Sequence, residues 1–513
     1  MKKYISLLLA VIVFAASFAA CGKTEDEPSS ASPASEPVSG PDAESSGEEE
    51  SAIPTLDIER KDYEGKELVF FGTWQNGDLY SEIVVNDMNG DSDYLSTSVN
   101  EAIAERNRLT EDHLGIKIRE IYVYSDRMGG LAAQQLREND MAGTLGVHVV
   151  APSLYCLGAL AGEGLFVDLN TIESLDLNKP WWDKSFNETA EVNGKLFFAQ
   201  GDIGLLDFAF IPVVFYNKTL AQKYGVPDLY ESVREGTWTF DAVYTYARLC
   251  SQDLNEDGIM DYRDLMGYDG QTGDCSNWFY GSGEKIIDVQ NGELVLTMYN
   301  ERSAGVVEKM NKLFSDRTYY CCANDYFSVS SSPVPELTGK QFSEGRSLFF
   351  SDIILQIYLL SEMKDEFGVL PIPKYDEQQD GYHSLIGSWT GNAFAIPRVL
   401  EKSEVEFAAE CLQTMCYYST DTVRKEFVER TLKYQKTRDD ESTEMLNMIF
   451  STRGTDLGFI YNVGSHGNTS PSTSLVDLLE KTMVGSVTFT AGYEARRSAA
   501  EEDLATIAAM YAD

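Results

Sequence analysis

Basic side chains, histidine and paired cysteines are scarce in this chain. Lys and Arg total 41 against 82 Asp and Glu, a formal charge of −41 over 513 residues. A field of that sign repels nucleic acid and anionic polymers, so neither is expected as a partner. Only four histidines occur, His113, His148, His383 and His466, and none is spaced with a second ligand as zinc requires. No CxxC pair exists among the eight cysteines, which excludes a zinc ribbon and a disulfide scaffold. HExxH, GxSxG and GxxxxGK[ST] are missing too, and with them three common catalytic and nucleotide-binding chemistries. The longest apolar stretch beyond the first residues, 194–225, is broken by Asp202, Asp207 and Pro212 and is no membrane span.

What is present begins with "MKKYISLLLAVIVFAASFAAC". Two lysines, an apolar run from Ile5 to Ala20 and small residues before Cys21 form an export signal. The cysteine after "FAA" resembles the lipobox of bacterial lipoproteins, although Phe18 stands where leucine is usual. Residues 1–20 are therefore expected to be a lipoprotein signal peptide and Cys21 to be lipidated. Ordinary secretory cleavage with a free Cys21 is the other reading. The Ser/Pro/Glu-rich segment 21–61 has almost nothing to bury and is expected to be a disordered tether, with a reach of roughly 30–35 Å. The protein would then be exported and held at the outer face of the cell membrane through lipid alone.

From about Asp62 the composition is that of a globular protein large enough for two domains. "KELVFFGTW" (66–74) and "IKIREIYVY" (116–124) read as strands. Between them lies a helical pattern with Val99, Ala102, Ile103 and Leu109 as its stripe and Gly115 as its stop. "GVHVVAPS" runs into a helical "LYCLGALAG", and Thr239 is placed to cap a helix over "FDAVYTYA". Strand and helix in alternation predict an open, largely parallel α/β sheet. The seven cysteines after Cys21 are expected to be free and buried; Cys411 shares a helical stripe with Ala408, Leu412 and Met415.

Several segments in order carry a family likeness: "KPWWDK…VNGKLFFAQGDI", "PVVFYNKTLAQKYGVPDLYESVREGTWTFDAVYTYARLC", "GRSLFFSD", "FGVLPIPKYDE" and "GSWTGNAFAIPR". The chain resembles the maltose-binding-like extracellular solute-binding proteins (family 1) over nearly its whole body. The resemblance implies a periplasmic-binding-protein-like fold of two α/β lobes, each a doubly wound open sheet, joined by crossing hinge strands with ligand between. Lobe 1 would hold residues 62–212 and about 390–450, and lobe 2 residues 213–389 and about 451–513. "FIPVVFYNK" and "GSWTGNAFAIP" would be two crossings, with a third near 445–465. The implied partners are a carbohydrate and the permease of an ABC importer, and the protein is expected to be a monomer and no enzyme.

"DLNEDGIMDYRD" (253–264) has the register of a calcium loop: Asp253, Asn255 and Asp257 as side-chain ligands, Gly258 at the turn, the Ile259 carbonyl, Asp261 and a closing Asp264. A structural calcium is favoured over a metal-free acidic turn. For the sugar, aromatic faces at loop positions are the candidates: Trp74, Tyr155, Trp278, Trp389 and Tyr461, with Asp202 as the acid that takes hydroxyls. Trp181, Trp182 and Trp238 are assigned to packing. Two other functions fit the same residues, a calcium-stabilised surface glycan hydrolase and a sugar-sensing lipoprotein that serves a signalling partner.

Overall fold

The computed structural model describes residues 54–74, 81–85, 97–124, 130–143, 146–388, 391–436, 440–465 and 473–512. The chain divides into two units, Met1–Ala52 and Ile53–Asp513. The first unit, with the expected signal, Cys21 and most of the tether, lies outside the described residues. The last residues of the span read as tether are packed: Leu56 is buried, and His113 Nε2 meets the Ile58 carbonyl oxygen at 2.9 Å.

The second unit is built on two main sheets. In the first, β1 (Lys66–Trp74) lies between β2 (Ile116–Tyr124) and β3 (Val149–Ala151), all parallel. Its crossover helix, Thr97–Leu114, buries Val99 and Ile103 as the stripe predicts, but Arg106 is buried beside them rather than Leu109. Gly115 ends that helix at φ +63, a conformation glycine adopts at no steric cost.

The second sheet has the order β10-β4-β9-β5-β8. Its members are β4 (Pro212–Asn217), β5 (Met266–Gly270), β8 (Tyr320–Cys322), β9 (Ser347–Ile353) and β10 (Phe367–Leu370). A hairpin of β6 (Ile287–Gln290) and β7 (Glu293–Leu296) stands apart. β5, β8 and β9 run parallel, whereas β4 is antiparallel to both β9 and β10, so this sheet is mixed. The reason lies in how the chain arrives. Pro212 sits opposite Ile353, so β4 begins where β9 ends, because the chain enters from the first sheet at that edge.

Three helices of this unit start at side-chain caps, and Thr239 is the one expected from the sequence. Asn217 accepts from Leu220 N, Asp228 from Tyr230 N, and Thr239 from Ala242 N. Every residue of β4 is buried, and Phe215 packs against Phe342, Phe350 and Phe367. Trp181, Trp182 and Trp238 lie in the core as assigned, and the seven described cysteines are free and buried. No helix among the described residues is long and apolar enough to cross a membrane.

Among the described residues the chain passes between the sheets three times. Ala199 pairs with Phe394 beside the first sheet, and the next residues reach β4 through the short helix Leu206–Ala209. The return runs from β11 (Ser384–Leu385) to Asn392, which bridges Ser153. β12 (Arg453–Gly454) pairs in parallel with β11 and marks the third passage. The Asp440–Ser451 helix falls, by sequence, in the span read as the first lobe, yet it packs on the second sheet: Val369 N donates to Ser442 Oγ, and Leu446, Ile449 and Phe450 join the core that holds Val369.

Candidate ligand cleft at the chain crossings

Parallel strands place their carboxyl ends on one edge, and the following loops collect there. The helix Leu154–Gly162 starts two residues after β3, and Asp274–Gly281 starts soon after β5. Tyr155 sits where the two edges meet. Its N–H donates to the Ser388 carbonyl at 3.2 Å. Burial raises its phenol well above the usual range, and the nearby Glu480 and Cys275, from helices of the second sheet, raise it further. Gly158, one turn on, touches Ile460: a Cβ there would lie 2.5 Å from the Ile460 carbonyl oxygen. At the second sheet's edge, Asp274 accepts from Gln271 N at 3.0 Å and Asp352 from Ile353 N at 2.8 Å. Burial pushes Asp352 up to about 7, and raises Asp274 with Asp352 adding to the effect.

The crossings themselves are tied by buried charges. Glu82 accepts from Leu205 N at 2.5 Å, from Leu206 N at 3.2 Å and from the Asn392 amide. Arg106 donates to the carbonyls of Glu82 and Ile83 at 2.8 and 2.7 Å. Asp202 is held by Thr420 Oγ1 at 2.7 Å and Arg424 at 2.8 Å. Arg453 pairs with Asp183 and brings Nε to 4.0 Å from Asp207. The Phe208 ring faces both guanidinium groups, Arg453 at 4.1 Å and Arg424 at 5.4 Å. Burial raises Glu82, Asp202 and above all Asp207 from the carboxylate range, with the arginines opposing it, and lowers Arg106 to about 10.

No family model and no curated protein matches the chain. Solved structures do match. A cycloalternan-bound ABC substrate-binding protein from Listeria monocytogenes is 12% identical over 86% of this chain and 99% of its own, with a TM-score of 0.52. A glycerophosphocholine-bound protein from Mycobacterium tuberculosis is 16% identical over 84% and 98%, also at 0.52. The maltose-binding protein of Listeria monocytogenes, in complex with maltose, is 15% identical over 86% and 98%, at 0.51. The fold is that of ABC substrate-binding proteins.

Within this substrate-binding fold the residues chosen from the sequence scatter. Trp74 closes β1, its side chain lying outside the described set, as does all of Trp389. Tyr155 lies at the meeting edges. Asp202 is at the crossings, but both its oxygens are engaged by Thr420 and Arg424. Trp278 is a core residue, 0% exposed between Phe240 and Phe314, with ring centroids at 4.6 and 4.9 Å. Its helix turns that face onto the sheet rather than outward. Tyr461 packs on Phe198 and gives its hydroxyl to a 2.7 Å contact with Tyr511. The sequence reading missed Glu82, Arg106, Asn392, Arg424 and Arg453. Arg106 alone left a signal, as a charge on the buried stripe of its helix.

A groove of about 500 Å³ flanks the third crossing, between Lys184–Thr189 and Lys285–Val289 over Leu457. Its lysines face Glu188 at 3.6 Å and Asp288 at 3.0 Å, so it presents matched charges.

The acidic loop 253–264 joins the Phe240–Ala247 helix to β5. Asp253 accepts from Glu256 N and Gly258 N at 2.7 and 2.8 Å, Asp257 from Ile259 N at 2.9 Å, and Asp264 from Leu254 N and Asp261 N at 3.0 and 2.9 Å. Asn255 Oδ1 accepts from Asp257 N at 2.9 Å. Arg263 lies across the loop, 2.8 Å from Asp257 and 2.5 Å from Asp261. No three His, Cys, Asp or Glu side chains among the described residues converge as metal ligands.

Asp352 gives this site a pH signature. Its folded carboxyl is raised to about 7 from 3.8, so the fold favours the neutral form. That contribution is complete below pH 4 and is lost as pH rises toward 7. Asp352→Asn lacks the loss. Its stability relative to wild type should therefore rise between pH 4.5 and 7.5, by about 2–4 kcal/mol. Parallel melting-temperature profiles for the two proteins across that range would refute the shift.

Proposed function

We propose that this protein is a lipid-anchored extracellular receptor that captures a carbohydrate, an oligosaccharide, and delivers it to the permease of an ABC importer. One observation carries the reading. The carboxyl edges of two α/β sheets meet at Tyr155 beside three chain crossings, in a fold whose similar structures hold cycloalternan, maltose and maltopentaose. Ring faces of Trp74, Tyr155 and Trp389 would stack on sugar rings as the lobes close on the crossings. Binding proceeds without turnover. A panel of oligosaccharides, with glycerophosphocholine included because one similar structure holds it, tests the reading by calorimetry and small-angle scattering. At least one sugar should bind with a Kd near 1 μM, about −8 kcal/mol, and compact the protein. Trp389→Ala should weaken it at least tenfold. Cleaved sugar after long incubation would favour the hydrolase instead.

The anchor follows from the export signal and Cys21. Cys21→Ser should move the protein from the membrane fraction into the medium. Membrane retention of that variant would place the anchor elsewhere.

Loop 253–264 is proposed to take calcium as a structural staple between helix and β5, with Arg263 released from Asp257 and Asp261 as the ion enters. Saturating calcium over chelator should raise the melting temperature, by about 2.7 kcal/mol of stability at a hundred times Kd, and Asp257→Ala should abolish the response. Identical melting with calcium and with chelator would leave Arg263 as the loop's counter-charge.

A further inference from the structure

The β6–β7 hairpin belongs to neither main sheet, so each of its strands keeps one edge unpaired. Asn291 and Gly292 form its turn at φ +54 and +83, left-handed at both positions as a two-residue type I′ turn requires. The register continues past the strand ends, where Thr297 N–H donates to the Ile286 carbonyl at 3.0 Å. Ile286, Asp288 and Gln290 therefore turn their carbonyls toward β7, and alternation turns those of Ile287 and Val289 to the free edge. Asp456 holds the start of that edge, accepting from Ile286 N and Ile287 N at 2.5 and 3.2 Å. Beyond it, Val289 N–H and the carbonyls of Ile287 and Val289 have no partner among the described residues.

The groove of about 500 Å³ runs along this edge. Ile287, Asp288 and Val289 all line it, and no residue of β7 does. Side chains of a strand alternate between its faces, so three in succession mark the edge rather than a face. Leu457, which follows Asp456, lines the same side. The opposite wall is one face of the Lys184–Ala190 helix, with Lys184, Ser185, Glu188 and Thr189 at helical spacing. The strand edge thus meets open space instead of a covering element, and neither proline nor a bulge blunts it.

We propose that the free edge of β6 takes an extended segment of a partner protein as a third strand, laid between the hairpin and that helix. The edge presents one donor and two acceptors at strand spacing over about 10 Å, which an extended backbone matches. Charge decides between an interior segment and a free peptide. Lys184 is paired with Glu188 at 3.6 Å and Lys285 with Asp288 at 3.0 Å, so the groove keeps no spare charge for a terminal carboxylate or ammonium. Ile287, Val289 and Leu457 favour a segment with apolar side chains at alternate positions. The inference stands apart from the carbohydrate reading, and no sugar enters its test.

The probes are acetylated, amidated hexapeptides in which threonine alternates with valine, leucine or phenylalanine, titrated into the full chain by calorimetry. At least one should bind with a Kd below about 1 mM and slow hydrogen exchange of the Val289 amide at least tenfold. Methylating every second backbone nitrogen keeps the side chains and removes the donors of one peptide edge. One of the two such peptides should lose at least tenfold in affinity. Val289→Pro removes an N–H that nothing in the chain accepts, a change an edge strand tolerates, and should abolish binding. Thr189→Trp fills the groove from the opposite wall and should abolish it with β6 untouched. If the proline unfolds the hairpin, the tryptophan variant carries the test. Absence of binding by every peptide, equal affinity for both methylated forms, or tighter binding of a peptide with free ends overturns the proposal. A concentration-dependent dimer that Val289→Pro dissolves would overturn it too, giving the edge to a second copy of this chain.

Discussion

Arg453 is the residue on which the crossings depend. It sits on β12, binds Asp183 beside the first sheet and faces Asp207 on the segment that leads into β4. Removing one partner from a buried ion pair costs about 3–5 kcal/mol, because the other charge stays desolvated. Here one guanidinium stands between two buried acids, so its loss would strand both. Phe208 lies between Arg453 and Arg424, which joins this pair to Asp202 and Thr420. The chain's passages between sheets are therefore fixed by charge and hydrogen bonds where most of the core is fixed by apolar contact.

That difference would suit the lobe closure proposed above. Apolar cores such as the Phe215, Phe342, Phe350 and Phe367 cluster are close-packed and resist shear. Leu205 and Leu206 are in addition held to Glu82 by two hydrogen bonds. Gly158 permits a close approach to Ile460, since any larger residue would hold the two segments apart.

The acidic loop has the spacing of a calcium loop and, in this structure, a counter-charge of its own. Its turns, with Glu256 at φ +59 and Gly258 at φ +78, let Asp253 and Asp257 accept backbone N–H groups of the loop. Arg263 supplies a positive charge from within the chain. With 41 basic against 82 acidic residues such internal counter-charges are scarce, and the crossings hold three others, Arg106, Arg424 and Arg453.

Much of the fold is legible in the residues themselves, because strands and helices are chosen by near neighbours. The apolar runs at 66–74 and 116–124, the glycine stop at 115, and the cap at Thr239 act over a few positions, and the elements begin and end there. The order of segments was enough to name the fold. The direction of β4 was not readable, since it depends on which edge of the second sheet the chain reaches first. Nor was the surroundings of a given aromatic: Trp278 and Tyr155 follow strands in the same way, yet one is turned into the core and the other lies between the sheets. The polar centre is the clearest case. Asn392 pairs with a residue 310 positions away, and Arg453 with one 270 away. No local pattern encodes such partners; the three crossings bring them together only when both sheets have formed.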